Sequence, residues 1–255
     1  MSRPLGRRTP SDFDHVAKWG FAAISPKTVA TVNKTLTLPY WHWTHDQGSE
    51  GSCVGHGSVM ERAITNTAQN KAASITGPTR RYDPIDIWNE AKKIDEWSDT
   101  NPGDDNGTSV RAAYDVLRNY GPRRVSKMVL IDGVPHPYNE KPRDLQEGVA
   151  ANRWATTVDE IRTSISMGLP VTIGVNWYTA FDNPDYDGYW YWIGKGSLGS
   201  VRGGHCVTIY GASDKRQAFR VKNSWGKEYP LVWLTYGAMG RLLQEDGEAT
   251  LITDR

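Results

Sequence analysis

Cys53 and Cys206 are the only cysteines of the chain, and only the first sits where a thiol could act as a nucleophile. The segment from Asp46 to His56 reads DQGSEGSCVGH. It places Cys53 in the first turn of a helix, where unpaired backbone N–H groups and the positive end of the helix dipole favour the thiolate. Gly48 and Gly51 let the preceding loop turn sharply. Gln47 can offer its amide N–H to the space above the sulfur. With the backbone N–H of Cys53 it would form an oxyanion hole for a tetrahedral intermediate.

A thiol needs a base, and the base needs an orienting group. Both types occur far downstream: His205 in GGHCVTIYG, at the start of a strand, and Asn223 in KNSWG, at a strand end. His205 could take the Cys53 proton while Asn223 holds the other ring nitrogen without itself ionising. Trp225 would shield that hydrogen bond from water. Zinc offers a rival reading, because Cys53, His56, His205 and Cys206 are ligand types. Adjacent strand residues point to opposite faces, however, so His205 and Cys206 do not converge on one ion. No metal and no cofactor is therefore expected. Cys206 reads as a small core residue, His56 as packing within a buried helix, and His15, His42, His45 and His136 as surface or loop residues.

The elements that must position these groups follow from periodicity. A helix is predicted from Ser52, as cap, to about Asn66, with Cys53, Gly57, Met60 and Ile64 on one stripe. Two more run from Pro84 to about Trp97, capped by Asp83, and from Thr108 to Tyr120, closed by Gly121 and Pro122. Thr157 and Glu160 form a capping box for a fourth that ends near Gly168. Strands are then expected over 171–175, 205–210, 218–223 and 231–236. Residues 1–38 read as an arm, with a Thr/Val alternation that suits an edge strand. Residues 39–255 read as one α+β domain with a helical lobe over about 45–125 and a β-rich lobe over about 126–255. The Pro-rich stretch 122–156 is the expected junction, and a cleft between unlike lobes is the expected place for a site.

These motifs resemble the papain-like (C1) cysteine peptidases, in particular bacterial and phage versions without a long propeptide. The resemblance covers Gln47 with Cys53, Gly204-His205, and Asn223-Ser224-Trp225-Gly226; the NGTSV segment from Asn106 and the GLPVTIGV segment from Gly168 add to it, over roughly residues 38–236. It implies a two-lobed papain-like fold, a helical lobe packed on a β-barrel-like lobe with the active site between them. It further implies Cys53 as nucleophile, His205 as base and later acid, Asn223 as orienter and Gln47 as oxyanion donor. Asn106, Gly107 and Thr108 would line the side of the cleft where an extended peptide pairs, and Gly203 and Gly204 would leave room beside the histidine, with Trp225 as a wall. Glu50, Val54 and Thr108 depart from the family pattern, so a nearby disulfide is not expected and pocket shape is not transferable. Only 52 residues precede Cys53, too few for the family's long inhibitory segment, which leaves the means of restraint open.

Composition excludes several other classes. The 255 residues hold 30 Lys plus Arg against 29 Asp plus Glu, a net charge of +1 that supplies no field for nucleic acid or an anionic membrane. No stretch reaches the roughly 20 apolar residues that span a bilayer, and no apolar region follows the basic start. The expected setting is cytoplasmic, or virion-associated if the gene belongs to a phage, with other virion proteins as partners in that case. The expected partner otherwise is a protein or peptide substrate. The same triad would also serve an amidase, an isopeptidase or a cell-wall peptide hydrolase, and the fold could act as a binding module of a phage particle.

Overall fold

Cys53–Ala72 forms the longest helix, α1, and its first fourteen residues are buried on every side. The computed structural model describes residues 4–8, 31–74, 79–95, 97 and 107–254. Burial all round explains why α1 tolerates Gly55 and Gly57 in its first turns. A Cβ on Gly55 would lie 2.1 Å from the Pro84 carbonyl oxygen, and one on Gly57 would lie 2.7 Å from Cys206 Sγ. The helix extends one and a half turns past the predicted end, since no breaker intervenes before Ser74 takes a positive φ of 55°. Ser52 does not cap it through its side chain; the Ser52 carbonyl simply accepts the His56 N–H at 3.1 Å.

The second helix, α2 (Pro84–Ile94), is capped by Asp83, which accepts from Ile85 N at 2.9 Å. It stops before Trp97 because Asp95 turns its carboxylate to Trp97 N and Thr108 Oγ1. The third, α3 (Val110–Asn119), begins two residues later than expected, with Ser109 as cap. Thr108 is instead held extended, in a parallel bridge to Arg7. The fourth, α4 (Val158–Met167), has the predicted Thr157/Glu160 capping box and ends on Gly168 at φ 93°. A fifth, α5 (Tyr236–Gln244), was outside the sequence reading.

One nine-stranded sheet carries the second half of the chain. Its strands are β4 (Val149–Ala155), β5 (Val171–Tyr178), β6 (Asp185–Tyr186), β7 (Tyr191–Ile193), β8 (Val201–Ser213), β9 (Ala218–Lys222), β10 (Val232–Thr235) and β11 (Glu248–Asp254), in the order β4-β11-β5-β8-β9-β10-β7-β6. The short β1 (Asn33–Thr35) pairs antiparallel with the far end of β8, the edge role expected of the arm. The thirteen-residue β8 is thus the spine: it presents His205 opposite Val175 of β5 and lies against α1.

The stretch 122–156 contains a hairpin, β2 (Lys127–Ile131) and β3 (Val134–Tyr138), turning on Asp132 and Gly133 with positive φ at both. That two-residue turn is the sterically favoured hairpin type. Its tip props the loop before α1: Ser49 N donates to the Gly133 carbonyl at 2.8 Å. No helix among the described residues is long and apolar enough to cross a membrane.

Candidate active site

Two motif segments distant in sequence are zipped together by their backbones. Gln47 N donates to the Ser224 carbonyl at 2.8 Å, Gly226 N donates to the His45 carbonyl at 3.1 Å, and Asp46 bridges Trp225. Gly226 sits at φ 62°, and a Cβ there would lie 2.3 Å from Asp46 Oδ2, so the close approach requires glycine. Ser224 Oγ donates to Gln47 Oε1 at 2.5 Å. The amide oxygen is thereby engaged, and Nε2 is left to face the loop and the cleft, donating to the Glu50 carbonyl at 2.7 Å and the Pro4 carbonyl at 3.3 Å.

His205 and Asn223 are brought together as their sequence context suggested. His205 Nε2 lies 2.9 Å from Asn223 Oδ1. The same oxygen accepts the Ser224 backbone N–H at 2.7 Å, which fixes the orientation of the amide. An oxygen can only accept, so Nε2 carries the proton and Nδ1 keeps the basic lone pair. That Nδ1 is buried and has no hydrogen-bond partner among the described residues. The ring is clamped by Trp225 (5.0 Å between centroids) and, edge-on, by Trp177 (4.6 Å). Trp177 was legible only as one of many tryptophans; its placement on β5 two residues after Val175, on the same face, is what brings it to the histidine.

Cys53 lies at the helix start, but its thiol is fully buried and its pKa is pushed up to about 12. Burial is the main cause. The backbone N–H groups of Gly6, Cys206 and Val54 and the Arg7 charge act the other way and are outweighed. Burial likewise drives His205 down to about 3, against the pull of Asn223. The expectation of a thiolate held by the helix tip is therefore corrected for this conformation: both groups are neutral, because the cleft is covered.

The cover is the chain's own residues 4–8. Arg7 N donates to the Gly204 carbonyl at 3.0 Å, Thr108 N to the Gly6 carbonyl at 3.0 Å, and Arg8 N to the Thr108 carbonyl at 3.1 Å. A Cβ on Gly107 would lie 2.0 Å from the Gly6 carbonyl oxygen, and one on Gly204 would lie 2.0 Å from that of Arg7. Gly107, Thr108, Gly203 and Gly204 thus lie against an extended segment of the chain itself. A cavity of about 580 Å³ remains between residues 4–8 and the wall formed by Ser49, Gly107, Arg202, Gly203 and Gly204. Asn106 and His15 lie outside the described residues.

Among the other histidines, His136 is exposed. His45 departs from its expected place on the surface: it is buried, packs at a tilt against the His56 ring with 4.5 Å between centroids and has its Nε2 against the His56 carbonyl at 3.0 Å. Its alternation with Gln47, at the foot of a strand-like bridge, was the available signal. His56 is buried within α1 with its pKa lowered to about 3 by burial and the nearby Lys222 and His205, and Cys206 fills the space left by Gly57; both are packing residues. Arg7 and Ser224 had no signal of their own, the first lying in a short basic run and the second within a motif read for its neighbours.

This arrangement defines a papain-like fold, α+β, with the two motif-bearing halves meeting at one cleft. Comparison with known structures agrees. The chain superposes on xylellain, a cysteine protease from Xylella fastidiosa, with a TM-score of 0.71 at 17% identity, covering 100% of this chain and 98% of that one. Digestive procathepsin L 3 of Tenebrio molitor larval midgut gives 0.60 at 12% identity, covering 98% and 76%. A Carica candamarcensis cysteine protease in complex with E-64 gives 0.59 at 16%, covering 89% and 100%. In sequence the chain is 24% identical over 228 residues to a peptidase C1-like protein of Acanthamoeba polyphaga mimivirus, covering 82% of this chain and 70% of the relative. No family model matches the chain.

Proposed function

We propose that the chain is a cysteine peptidase in which Cys53 attacks a peptide carbonyl, His205 Nδ1 takes the thiol proton, and Asn223 keeps the ring in the reactive tautomer. The resulting tetrahedral oxyanion is held by Gln47 Nε2 and the Cys53 backbone N–H. His205 then protonates the leaving amine, an acyl-enzyme forms, and water activated by the same imidazole releases the acid.

The observation that carries this reading is the Pro4 carbonyl accepting from Gln47 Nε2 while the neighbouring backbone pairs with Thr108 and Gly204. The cleft already holds a peptide, with a carbonyl oxygen at the proposed oxyanion donor. An extended peptide in that position favours linear peptide substrates over the other acyl groups this chemistry would serve. With residues 4–8 seated, neither substrate nor water reaches Cys53, so the arm must lift for turnover.

The test is cleavage of unfolded protein substrates by the full chain and by Cys53→Ala. Cleavage in the first that disappears in the second supports the proposal; cleavage that persists in Cys53→Ala contradicts it.

A further inference from the structure

Cys53 and Cys206, the only cysteines of the chain, are far apart in sequence and meet in the fold. Cys206 belongs to the face of β8 that packs on α1: Thr208, two residues on and on the same face, donates from Oγ1 to the Gly57 carbonyl at 3.2 Å. The missing side chain of Gly57 lets the Cys206 sulfur lie directly on the helix, 2.7 Å from where a Cβ would stand. Gly57 is one turn beyond Cys53, and on a helix side-chain positions four apart are about 5–6 Å from each other. The Cys206 sulfur therefore lies under the first turn of α1. From the other side, the Cys206 backbone N–H is directed at the Cys53 sulfur. After burial itself, a charge on Cys53 is what raises the Cys206 thiol most.

Packing at Gly57 asks only for a small side chain; a sulfur there adds a second oxidisable group beside the nucleophile. We propose that Cys206 is a resolving thiol for Cys53, closing an intrachain disulfide across the α1–β8 contact after a peroxide has oxidised Cys53. The Cys53 thiolate attacks one peroxide oxygen, the O–O bond breaks, and hydroxide leaves and takes up the proton that Cys53 had given away. Cys53 is then a sulfenic acid. The Cys206 sulfur attacks the Cys53 sulfur and loses its proton; the S–S bond forms, the S–O bond breaks, and the hydroxyl departs with that proton as water. Two thiols have together lost two electrons, and one peroxide has become two waters. A disulfide needs Cβ atoms about 3.5–4.5 Å apart, and no side chain at position 57 stands in the way of that approach. Cys206 is buried and held neutral, so oxidation begins at Cys53 once residues 4–8 lift. The bond keeps Cys53 from the irreversible sulfinic state and withdraws it from the cleft. Loss of turnover on oxidation rests on the peptidase reading; the disulfide itself does not.

The test uses the full chain carrying Arg7→Ala, which breaks the buried Arg7–Glu248 pair that anchors residues 4–8. It is treated with a slight excess of hydrogen peroxide, blocked with iodoacetamide and mapped by mass spectrometry without reduction. The expected product is a monomeric chain whose Cys53 and Cys206 peptides are linked, lighter by two hydrogens than the free pair, and dithiothreitol should return both thiols. Adding Cys206→Ala, or Cys206→Ser should the first variant fold poorly, should abolish the link, drive Cys53 to the sulfinic acid and leave dithiothreitol without effect. Sulfinic acid at Cys53 with Cys206 still open to alkylation in the parent chain overturns the proposal, as does a link found only between two chains. Should peroxide reach neither thiol, refolding from urea in glutathione buffers decides. A link that withstands at least about tenfold more reduced glutathione in the folded chain than in the urea-unfolded one supports the proposal; equal sensitivity overturns it. Peptide cleavage is scored separately on the reduced chain. Cleavage by a chain that never forms the link removes the disulfide and leaves the peptidase standing, whereas a linked chain that cleaves nothing after reduction keeps the disulfide and removes the peptidase.

Discussion

Ser224 holds Gln47 by a side-chain hydrogen bond of 2.5 Å, oxygen to oxygen, and so dictates which end of the Gln47 amide faces the cleft. The residue next to the proposed orienter thus also positions the proposed oxyanion donor. One tetrapeptide, Asn223 to Gly226, sets the histidine tautomer, the glutamine rotamer and the loop that leads into α1.

Ser224→Ala is accordingly expected to lower kcat roughly tenfold with little change in KM, since the amide is free to rotate but remains present. Gln47→Ala should cost more, about 100- to 1000-fold in kcat. Ser224→Thr keeps the hydroxyl and should recover most of the activity, an outcome that a general packing role for Ser224 does not predict. Steady-state kinetics on a peptide substrate checks all three.

Arg7→Ala should uncover Cys53. The pKa of about 12 arises chiefly from burial, and residues 4–8 supply part of that burial. The variant breaks the Arg7–Glu248 pair that anchors them, so the apparent pKa of Cys53 alkylation should fall. Each unit of that fall gives about a tenfold gain in the labelling rate at neutral pH while the thiolate remains the minor form. An unchanged pH profile would show that the arm does not control access.

The contribution of three buried groups to stability should be greatest near pH 6.5 and fall on either side of it. Glu61 is buried, accepts from Tyr114 Oη and, at 2.9 Å, from Ile252 N, and burial raises its pKa to about 8. A carboxyl whose pKa is higher folded than unfolded stabilises fully below about 4.5, and that stability is lost as pH rises through about 8. The loss runs at about 1.4 kcal/mol per pH unit inside that window. His56 and His205, lowered to about 3 by burial, act with the opposite sign: their contribution is present above 6.5 and is lost as pH falls toward 3. Between about pH 4.5 and 6.5 Glu61 therefore opposes the two histidines, and from about 6.5 to 8 it acts against stability alone; in urea titrations Glu61→Gln should remove the decline between 6.5 and 8 and steepen the rise between 4.5 and 6.5.

Gly57→Ala tests the contact between α1 and β8. The new methyl would approach Cys206 Sγ to 2.7 Å, an overpacking expected to cost about 1–3 kcal/mol. Cys206→Ala in the same chain removes the clash and should restore part of the loss. Additive destabilisation in the double variant would mean that the two residues do not meet.

Much of this site was legible in the sequence because its parts obey local rules. Gln47 stands at a fixed spacing from Cys53, the first residue of α1; His205 and Asn223 were read at a strand start and a strand end, whereas β8 begins earlier, at Val201, and β9 ends at Lys222, just before Asn223. The Thr157/Glu160 box and the Asp83-Pro84 start were read from capping chemistry that needs no tertiary information. The errors have tertiary causes. His45 looks like a loop residue until the Asp46–Trp225 bridge draws it under α1. The thiolate expected at Cys53 follows from the helix end alone and fails once residues 4–8 remove the water around it. The β2–β3 hairpin was hidden by Pro135 and Pro137, which an isolated two-stranded ribbon accommodates and a central strand does not. The Arg7–Glu248 pair joins residues 241 positions apart, with no periodic pattern to announce it.

The central claim, that Cys53 is a nucleophile whose proton passes to His205 Nδ1, is tested most directly by iodoacetamide labelling at pH 6, read by mass spectrometry, in Arg7→Ala with and without His205→Ala. The account predicts that Cys53 labels far faster than Cys206, which is buried in both cases, and that His205→Ala slows Cys53 to the rate of an ordinary exposed thiol. Equal slow labelling of both cysteines, or rapid Cys53 labelling that is indifferent to His205→Ala, would contradict it.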